Sequence, residues 1–256
     1  MTKKSILITG AASGIGRATA MYFAKKGWYV GLYDVNIKGL ESLSREIGNN
    51  NCCYKKMDVS SISSVQNAVK HFSKNTGGLM NVLFNNAGII RMGPLESINV
   101  GDAHQIIDVN LKGVLNCVYT SLKLLKQTDN SCVVNMSSAS SLYGTAQLAV
   151  YSATKAAVSS LTESLNMEFE RYGIFVTDVR APYVETPLLE QKSKAPSIQK
   201  MGIKLTPDDV VEVVYRATNR RKIHYNTKGI RKLQLLLMIP LPEFIKVKII
   251  RSKLED

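Results

Sequence analysis

Cysteine is scarce in this chain of 256 residues: Cys52 and Cys53 are adjacent, and Cys117 and Cys132 sit in apolar runs. No pair has zinc-ligand spacing, so no metal is expected, and the bland reading is four reduced, mostly buried thiols in a cytoplasmic protein. Long apolar runs are also missing. A spanning helix needs about 18 uninterrupted apolar residues. The nearest approach, 233–250, is broken by Gln234, Pro240, Pro242, Glu243, Lys246 and Lys248. Near the N-terminus Lys3 and Lys4 precede Ile6, Leu7 and Ile8, but Thr9-Gly10 ends the run short of the roughly 7–15 apolar residues of a secretory signal. Internal repeats and low-complexity linkers are absent.

Acid is under-represented too, with 20 Asp and Glu against 33 Lys and Arg, a formal charge of +13. The imbalance is local. Residues 220–253 hold ten Lys or Arg and one acid, Glu243, and so carry +9 of the total. Basic character belongs to the tail, and an electrostatic partner for the whole surface is not implied.

What is present is a soluble globular composition, 45% hydrophobic and 21% charged. The length suits one larger α/β domain. Short β-rich runs at 5–8, 28–33, 52–57, 81–84, 132–135 and 174–179 alternate with helical patterns. Helices are expected over 15–26, 37–47, 62–74, 102–126 and 151–172. Thr206-Pro207-Asp208-Asp209 is a helix start, with a capping hydroxyl, Pro in the first turn and acids at the positive end. Such alternation predicts a doubly wound α/β fold: one parallel sheet with helices on both faces. The domain is read as residues 1–219, followed by a basic apolar extension, 220–256, although His224-Tyr225 could supply a short last strand.

The first strand runs into Thr9-Gly10-Ala11-Ala12-Ser13-Gly14-Ile15-Gly16 and then a helix. Glycines there let backbone approach a diphosphate, whose charge meets the free N–H groups of the helix N-terminus. Asp34 ends the second strand. Its carboxylate can accept the ribose hydroxyls of an adenosine and repels a 2′-phosphate. Positions 33, 35 and 36 hold no Arg or Lys, so NAD is favoured over NADP.

Tyr151 and Lys155 are one helical turn apart on one face. An adjacent ammonium favours phenolate and is expected to lower the Tyr151 pKa, making it an acid/base. Ser138 lies 13 residues earlier, at the carboxyl edge of a strand, where its hydroxyl can hold a substrate oxygen. Asn85-Asn86-Ala87-Gly88 closes another strand. Asn110, within the helical 102–126 stretch, is a mediocre helix former, and it marks either a specific role or a kink.

Taken in order, Thr9–Gly16, Asp58-Val59, Asn85–Gly88, Asn110 and Ser138/Tyr151/Lys155 resemble the short-chain dehydrogenase/reductase family over about residues 4–219. The resemblance implies a seven-stranded Rossmann-type sheet and an NAD-dependent enzyme acting on an alcohol or ketone. It implies Tyr151 as acid/base, Ser138 as the substrate-orienting hydroxyl, Lys155 on the nicotinamide ribose, and Asn110 holding a water of the proton relay. Gly10, Ser13, Gly14, Ile15 and Gly16 would cradle the diphosphate. Asp34 would take the adenosine ribose, Asp58 and Val59 would flank the adenine, and Asn86, Ala87 and Gly88 would flank the ribose. The sequence departs from the family after the strand at 174–179, where Ala181-Pro182 replaces Pro-Gly. Pro182 lacks an N–H. Val184 and Thr186 still match positions that hold the carboxamide.

Two regions leave alternatives open. Residues 187–202 mix Leu188, Leu189, Ile198 and Met201 with lysines, which suits either a lid over a lipophilic substrate or a solvated loop. The tail, 226–253, interleaves aliphatics with cations. It is read either as a membrane-surface segment or as a cover on the body or on a second subunit. Leucines rather than base-stacking aromatics separate its charges, so nucleic acid is not expected. A homodimer or homotetramer is expected through the 102–126 and 151–172 helices. The rival to an enzyme is an idle NAD sensor on the same fold, and a membrane-associated lipid-processing member is a third reading.

Overall fold

Among the described residues, the six apolar runs read as strands lie in one sheet, and the helices pack on its two faces. The computed structural model describes residues 3–190, 205–219, 221–228, 230, 242, 245 and 247. In chain order the elements begin β1 (Ser5–Thr9), α1 (Gly14–Lys25), β2 (Tyr29–Asp34), α2 (Ile37–Ile47), β3 (Cys52–Lys56) and α3 (Ile62–Thr76). They continue with β4 (Val82–Asn85), α4 (Val100–Ile107), α5 (Gly113–Lys126), β5 (Cys132–Met136) and α6 (Ala149–Phe169). Last come β6 (Phe175–Arg180), the short α7 (Pro187–Glu190), α8 (Pro207–Asn219) and β7 (His224–Asn226).

The sheet order is β3-β2-β1-β4-β5-β6-β7, and every pairing is parallel. The central strands are buried on both faces and read as mainly apolar runs, whereas the edge strand β3 is exposed over Tyr54, Lys55 and Lys56. Ile6, Ile8, Val30, Leu32, Val82 and Phe84 pack with Phe23 of α1, Leu40 and Leu43 of α2 and Val214 of α8. Leu7, Tyr33, Leu83, Val133 and Val176 face the other way, toward Val65 and Phe72 of α3, Val118 and Leu125 of α5 and Val158 of α6. All four cysteines are free and buried, and burial raises the pKa of each thiol. They pack as small hydrophobes.

Three expectations change. The helix expected over 102–126 is found without a break in helical backbone from Val100 to Lys126, but it contains a π turn at Asp108–Lys112 around Asn110, which divides it into α4 and α5. The expected Thr206 cap is inverted: its N–H and its hydroxyl both donate to Asp209 Oδ2 at 3.0 Å, so the acid of the first turn reaches back. The sheet also takes its last strand from beyond residue 219. Tyr225 of β7 packs in the core, and Thr227 N–H donates to Arg180 O at 3.0 Å, so the domain does not end where the basic composition starts. Residues 191–202 of the 187–202 loop and most of the 226–253 tail lie outside the described residues, and with them the lid and membrane-surface expectations. Among the described residues no helix is long and apolar enough to cross a membrane. On α5 and α6, the helices expected at a subunit contact, Tyr119 and Met167 are 75% and 69% exposed.

The edge of the sheet beside α6 holds a buried ion network. Asp178 of β6 is fully buried, and the Arg180 guanidinium lies 3.5 Å away. Ser159 donates to Asp178 and accepts from Arg180 Nη2 at 2.6 Å. His224 bridges Asp178 and Glu163, at 3.0 Å each. Removing one partner leaves a buried charge without compensation. Asp178→Ala is therefore expected to cost about 3–5 kcal/mol, read from the urea midpoint. A loss below ~1 kcal/mol would mean that the network contributes packing only.

Candidate active site

Between β1 and β4 the strand order reverses, and the carboxyl ends of these two strands open a crevice. Hydrogen bonds hold its lips together. Thr9 Oγ1 accepts from Asn86 N–H at 3.0 Å and from Ala87 N–H at 2.9 Å. Asn86 Nδ2 donates to Thr9 O at 3.0 Å and to Gly10 O at 3.2 Å. Gly10 and Gly14 are left-handed, with φ of +66° and +51°. A Cβ at Gly16 would lie 2.1 Å from Gly10 O and 2.6 Å from Asn86 Nδ2. Only glycine permits that closeness. Ser13, extended, precedes α1 without a side-chain cap, and the first turn of the helix holds no acid, so its N–H groups stay available to an anion. Asp34 is fixed at the end of β2 by Ala12 N–H at 3.0 Å and Asn36 N–H at 2.9 Å.

The crevice widens into a cleft of about 590 Å³. Its walls include Gly10, Ser13, Gly14, Ile15, Asp34, Asp58, Val59, Asn86, Ala87, Gly88, Ser138, Tyr151, Lys155, Val184 and Thr186, which are the residues predicted from sequence except two. Gly16 sits behind the turn it makes possible. Asn110 is fully buried, and its side chain is spent on structure. Its Oδ1 accepts from Ile89 N–H at 2.8 Å, while Nδ2 donates to Ile89 O at 2.9 Å and to Thr154 Oγ1 at 3.3 Å. Asn110 thus ties the loop after β4 to α6. Gly88 lies where this brace and Lys155 converge: a Cβ there would be 3.2 Å from Asn110 Oδ1 and 3.6 Å from Lys155 Nζ.

Tyr151 and Lys155 share one face of α6, with Lys155 Nζ 5.7 Å from the Tyr151 ring centroid. The ammonium donates to Met136 O at 2.8 Å and is 5% exposed. Burial lowers the Lys155 pKa to about 8. The lowered Tyr151 pKa expected from sequence is not found. Burial pushes it up to about 12 and the nearby Tyr183 adds to the rise, while the Ser138 hydroxyl works against both. Desolvation is the largest cause, and the Lys155 ammonium, turned to Met136 O, is not among the groups that act on the phenol.

Several cleft residues escaped the sequence reading. Ser140 contacts Ser138, Tyr143, Leu148 and Tyr183 line the walls, and Thr9 pins the crevice. The hydroxyl run Ser137–Ser141 carried a signal for Ser140, since a serine two residues after another is a turn motif. The tyrosines carried none. The loop after β6 accommodates the Ala181-Pro182 departure: Ala181 O accepts from Ala139 N–H at 2.9 Å, and Val184 bridges to Leu205.

A dinucleotide fits these residues. The glycine cradle leaves room only for backbone, the helix N-terminus faces the cleft, and the Asp34 carboxylate stands beside it. A family model for short chain dehydrogenases matches residues 4–197. The chain belongs to the short-chain dehydrogenase family. Oxidoreductase UcpA of Salmonella typhimurium is 33% identical over 226 residues, spanning 87% of this chain and 83% of UcpA. A Burkholderia phymatum short-chain dehydrogenase/reductase solved with NAD superposes with a TM-score of 0.84 at 25% identity, over 96% of this chain and 95% of that one. A Burkholderia cenocepacia gluconate 5-dehydrogenase solved with NADP and tartrate gives 0.80 at 26% identity, over 90% and 95%. This short-chain dehydrogenase is thus an oxidoreductase whose fold binds a nicotinamide cofactor.

The buried lysine has a cost in stability that pH should reveal. Lys155 titrates near 8 in the folded protein and at 10.5 when free of it. Between those values the unfolded chain binds more protons, so stability rises with pH through that window, and the full burial penalty is present below it. Lys155→Met is expected to gain about 1–3 kcal/mol near pH 7 and to lose that gain by about pH 10.5. Urea midpoints across that range read it, and a variant less stable than its parent near pH 7 would contradict the desolvation account.

Proposed function

We propose that this short-chain dehydrogenase transfers a hydride between NAD(H) and an alcohol/carbonyl pair on a lipophilic small molecule, with Tyr151 as the acid/base. The observation that carries the proposal is the meeting of Ser138, Tyr151 and Lys155 in the cleft that the glycine turn opens. The bound nicotinamide supplies or takes the hydride. In reduction Tyr151 gives its phenolic proton to the substrate oxygen, and in oxidation it takes that proton back. A phenol held at about 12 keeps its proton at neutral pH, which suits the donor role. Ser138 holds the substrate oxygen against Tyr151. Lys155 binds the nicotinamide ribose, and its charge counters the rise in the Tyr151 pKa when it turns from Met136 O. Asn110 holds Ile89 and Thr154 in place behind the cofactor face. Ile90, Leu148 and Leu188, with the rings of Tyr143 and Tyr183, make the cleft apolar beside the reacting groups, and this supports a lipophilic substrate.

Asp34 supports the preference for NAD. Both its oxygens are held by backbone N–H groups, so the carboxylate cannot swing aside for a 2′-phosphate.

Two measurements check this. NADH is expected to bind at least about tenfold more tightly than NADPH, with Asp34→Ala narrowing the gap by a similar factor. Equal affinities in the parent protein would remove the argument. Tyr151→Phe should abolish carbonyl reduction, by at least about a thousandfold, while NADH affinity stays within about twofold. Near-parental turnover would exclude Tyr151 as the acid. A parent protein that binds NADH but turns over nothing in a broad carbonyl panel would instead point to a cofactor sensor.

A further inference from the structure

Ser138 follows β5 and opens a single 3-10 turn over Ala139–Ser141. Its backbone is extended, and its hydroxyl oxygen accepts the Ser140 N–H at 3.2 Å, capping the turn. The Ser140 side chain folds back onto the same oxygen, with the two hydroxyls 2.7 Å apart. Both residues line the cleft.

A serine hydroxyl has one proton and two lone pairs. The Ser140 N–H takes one lone pair of Ser138. The direction of the 2.7 Å bond decides the rest. If Ser138 donates to Ser140, its only proton is used, and it faces the reacting groups with a lone pair. If Ser140 donates to Ser138, both lone pairs are filled and the Ser138 proton is left for the cleft. Chained hydroxyls also polarise one another, which strengthens the donor at the end of the chain.

We propose that Ser140 is a positioning residue that donates its hydroxyl proton to Ser138 and so aims the Ser138 proton at the Tyr151 oxygen and the substrate oxygen. This rests on the roles assigned above to Ser138 and Tyr151, and adds the direction of the bond and the residue that sets it. Ser138 shares the cleft with Tyr151 and lowers its pKa, and with one lone pair held by the Ser140 N–H and the other by the Ser140 hydroxyl its proton is the group left to face the phenol. The local fold makes the arrangement rigid: the turn that places the Ser140 N–H on Ser138 also brings the Ser140 hydroxyl to it. Neither contact requires a distant element.

The test compares the full-length parent with Ser140→Ala, Ser140→Thr and Ser138→Ala. One readout is NADH-dependent reduction of 9,10-phenanthrenequinone, an apolar diketone, across pH. The other is the carbon-13 resonance of the Tyr151 ring carbon bearing the hydroxyl, assigned by its loss in Tyr151→Phe, which needs no substrate. Ser140→Ala is expected to lower kcat about tenfold with KM and NADH affinity nearly unchanged, and to move the apparent pKa of the profile up by about one unit. It should also shift the Tyr151 resonance. Ser140→Thr keeps the hydroxyl and should restore rate, profile and resonance. An unaltered resonance and profile in Ser140→Ala would overturn the proposal. So would a loss of rate that Ser140→Thr does not rescue, since that is the signature of a merely structural role. Failure of the parent reading looks different: Ser138→Ala then retains its rate, or the parent protein does not reduce the quinone, and the resonance alone decides the Ser140 bond.

Discussion

The clasp between the ends of β1 and β4 underlies the rest of the site. Thr9 and Asn86 exchange side-chain and backbone hydrogen bonds across the switch in strand order. They clasp the carboxyl ends of two paired strands, and the cleft opens beyond those ends. Gly16 exists to let this happen, since any side chain would strike Gly10 O or Asn86. The glycine turn, the helix N-terminus and the Asp34 carboxylate all take their positions from this joint. A sequence motif that reads as a phosphate cradle is therefore also a device of sheet construction.

Chemistry and stability pull against each other on α6. Lys155 is almost fully enclosed with a single carbonyl for a partner, and the nearby phenol is pushed toward its neutral form. Neither group is at rest in the sense that a surface tyrosine and lysine would be. A buried cation and a protonated phenol side by side form a pair whose balance responds strongly to one more hydrogen bond, and the two serines at the end of β5 are placed to supply it.

Asn110 links this pair to the rest of the fold. A π turn inserts into what would be one long helix, and its centre is an asparagine whose amide is spent on Ile89 and Thr154. Such turns carry a bond pattern poorer than an α-helix and persist where side chains over-determine them. Here the brace couples the loop after β4 to the turn of α6 that carries Tyr151, because Thr154 also donates to Tyr151 O at 2.7 Å.

The order of strands and helices, the glycine turn, Asp34 and the Ser138/Tyr151/Lys155 set were all legible in the chain. They follow from local rules: apolar periodicity, the need for bare backbone at a phosphate, and a spacing of four on a helix. The interruption at Asn110 was visible only as an odd residue type, because whether it kinks the helix depends on Ile89, 21 residues away in sequence. The last strand was legible at His224-Tyr225 only as a possibility beyond a boundary drawn at residue 219, since three residues carry little periodicity and gain their place by pairing with β6. The protonation balance of Tyr151 and Lys155 was decided by tertiary structure alone. Sequence spacing brings a charge near a phenol, but the sign of the result depends on how much water the packed cleft leaves to each, and burial is a property of the whole fold.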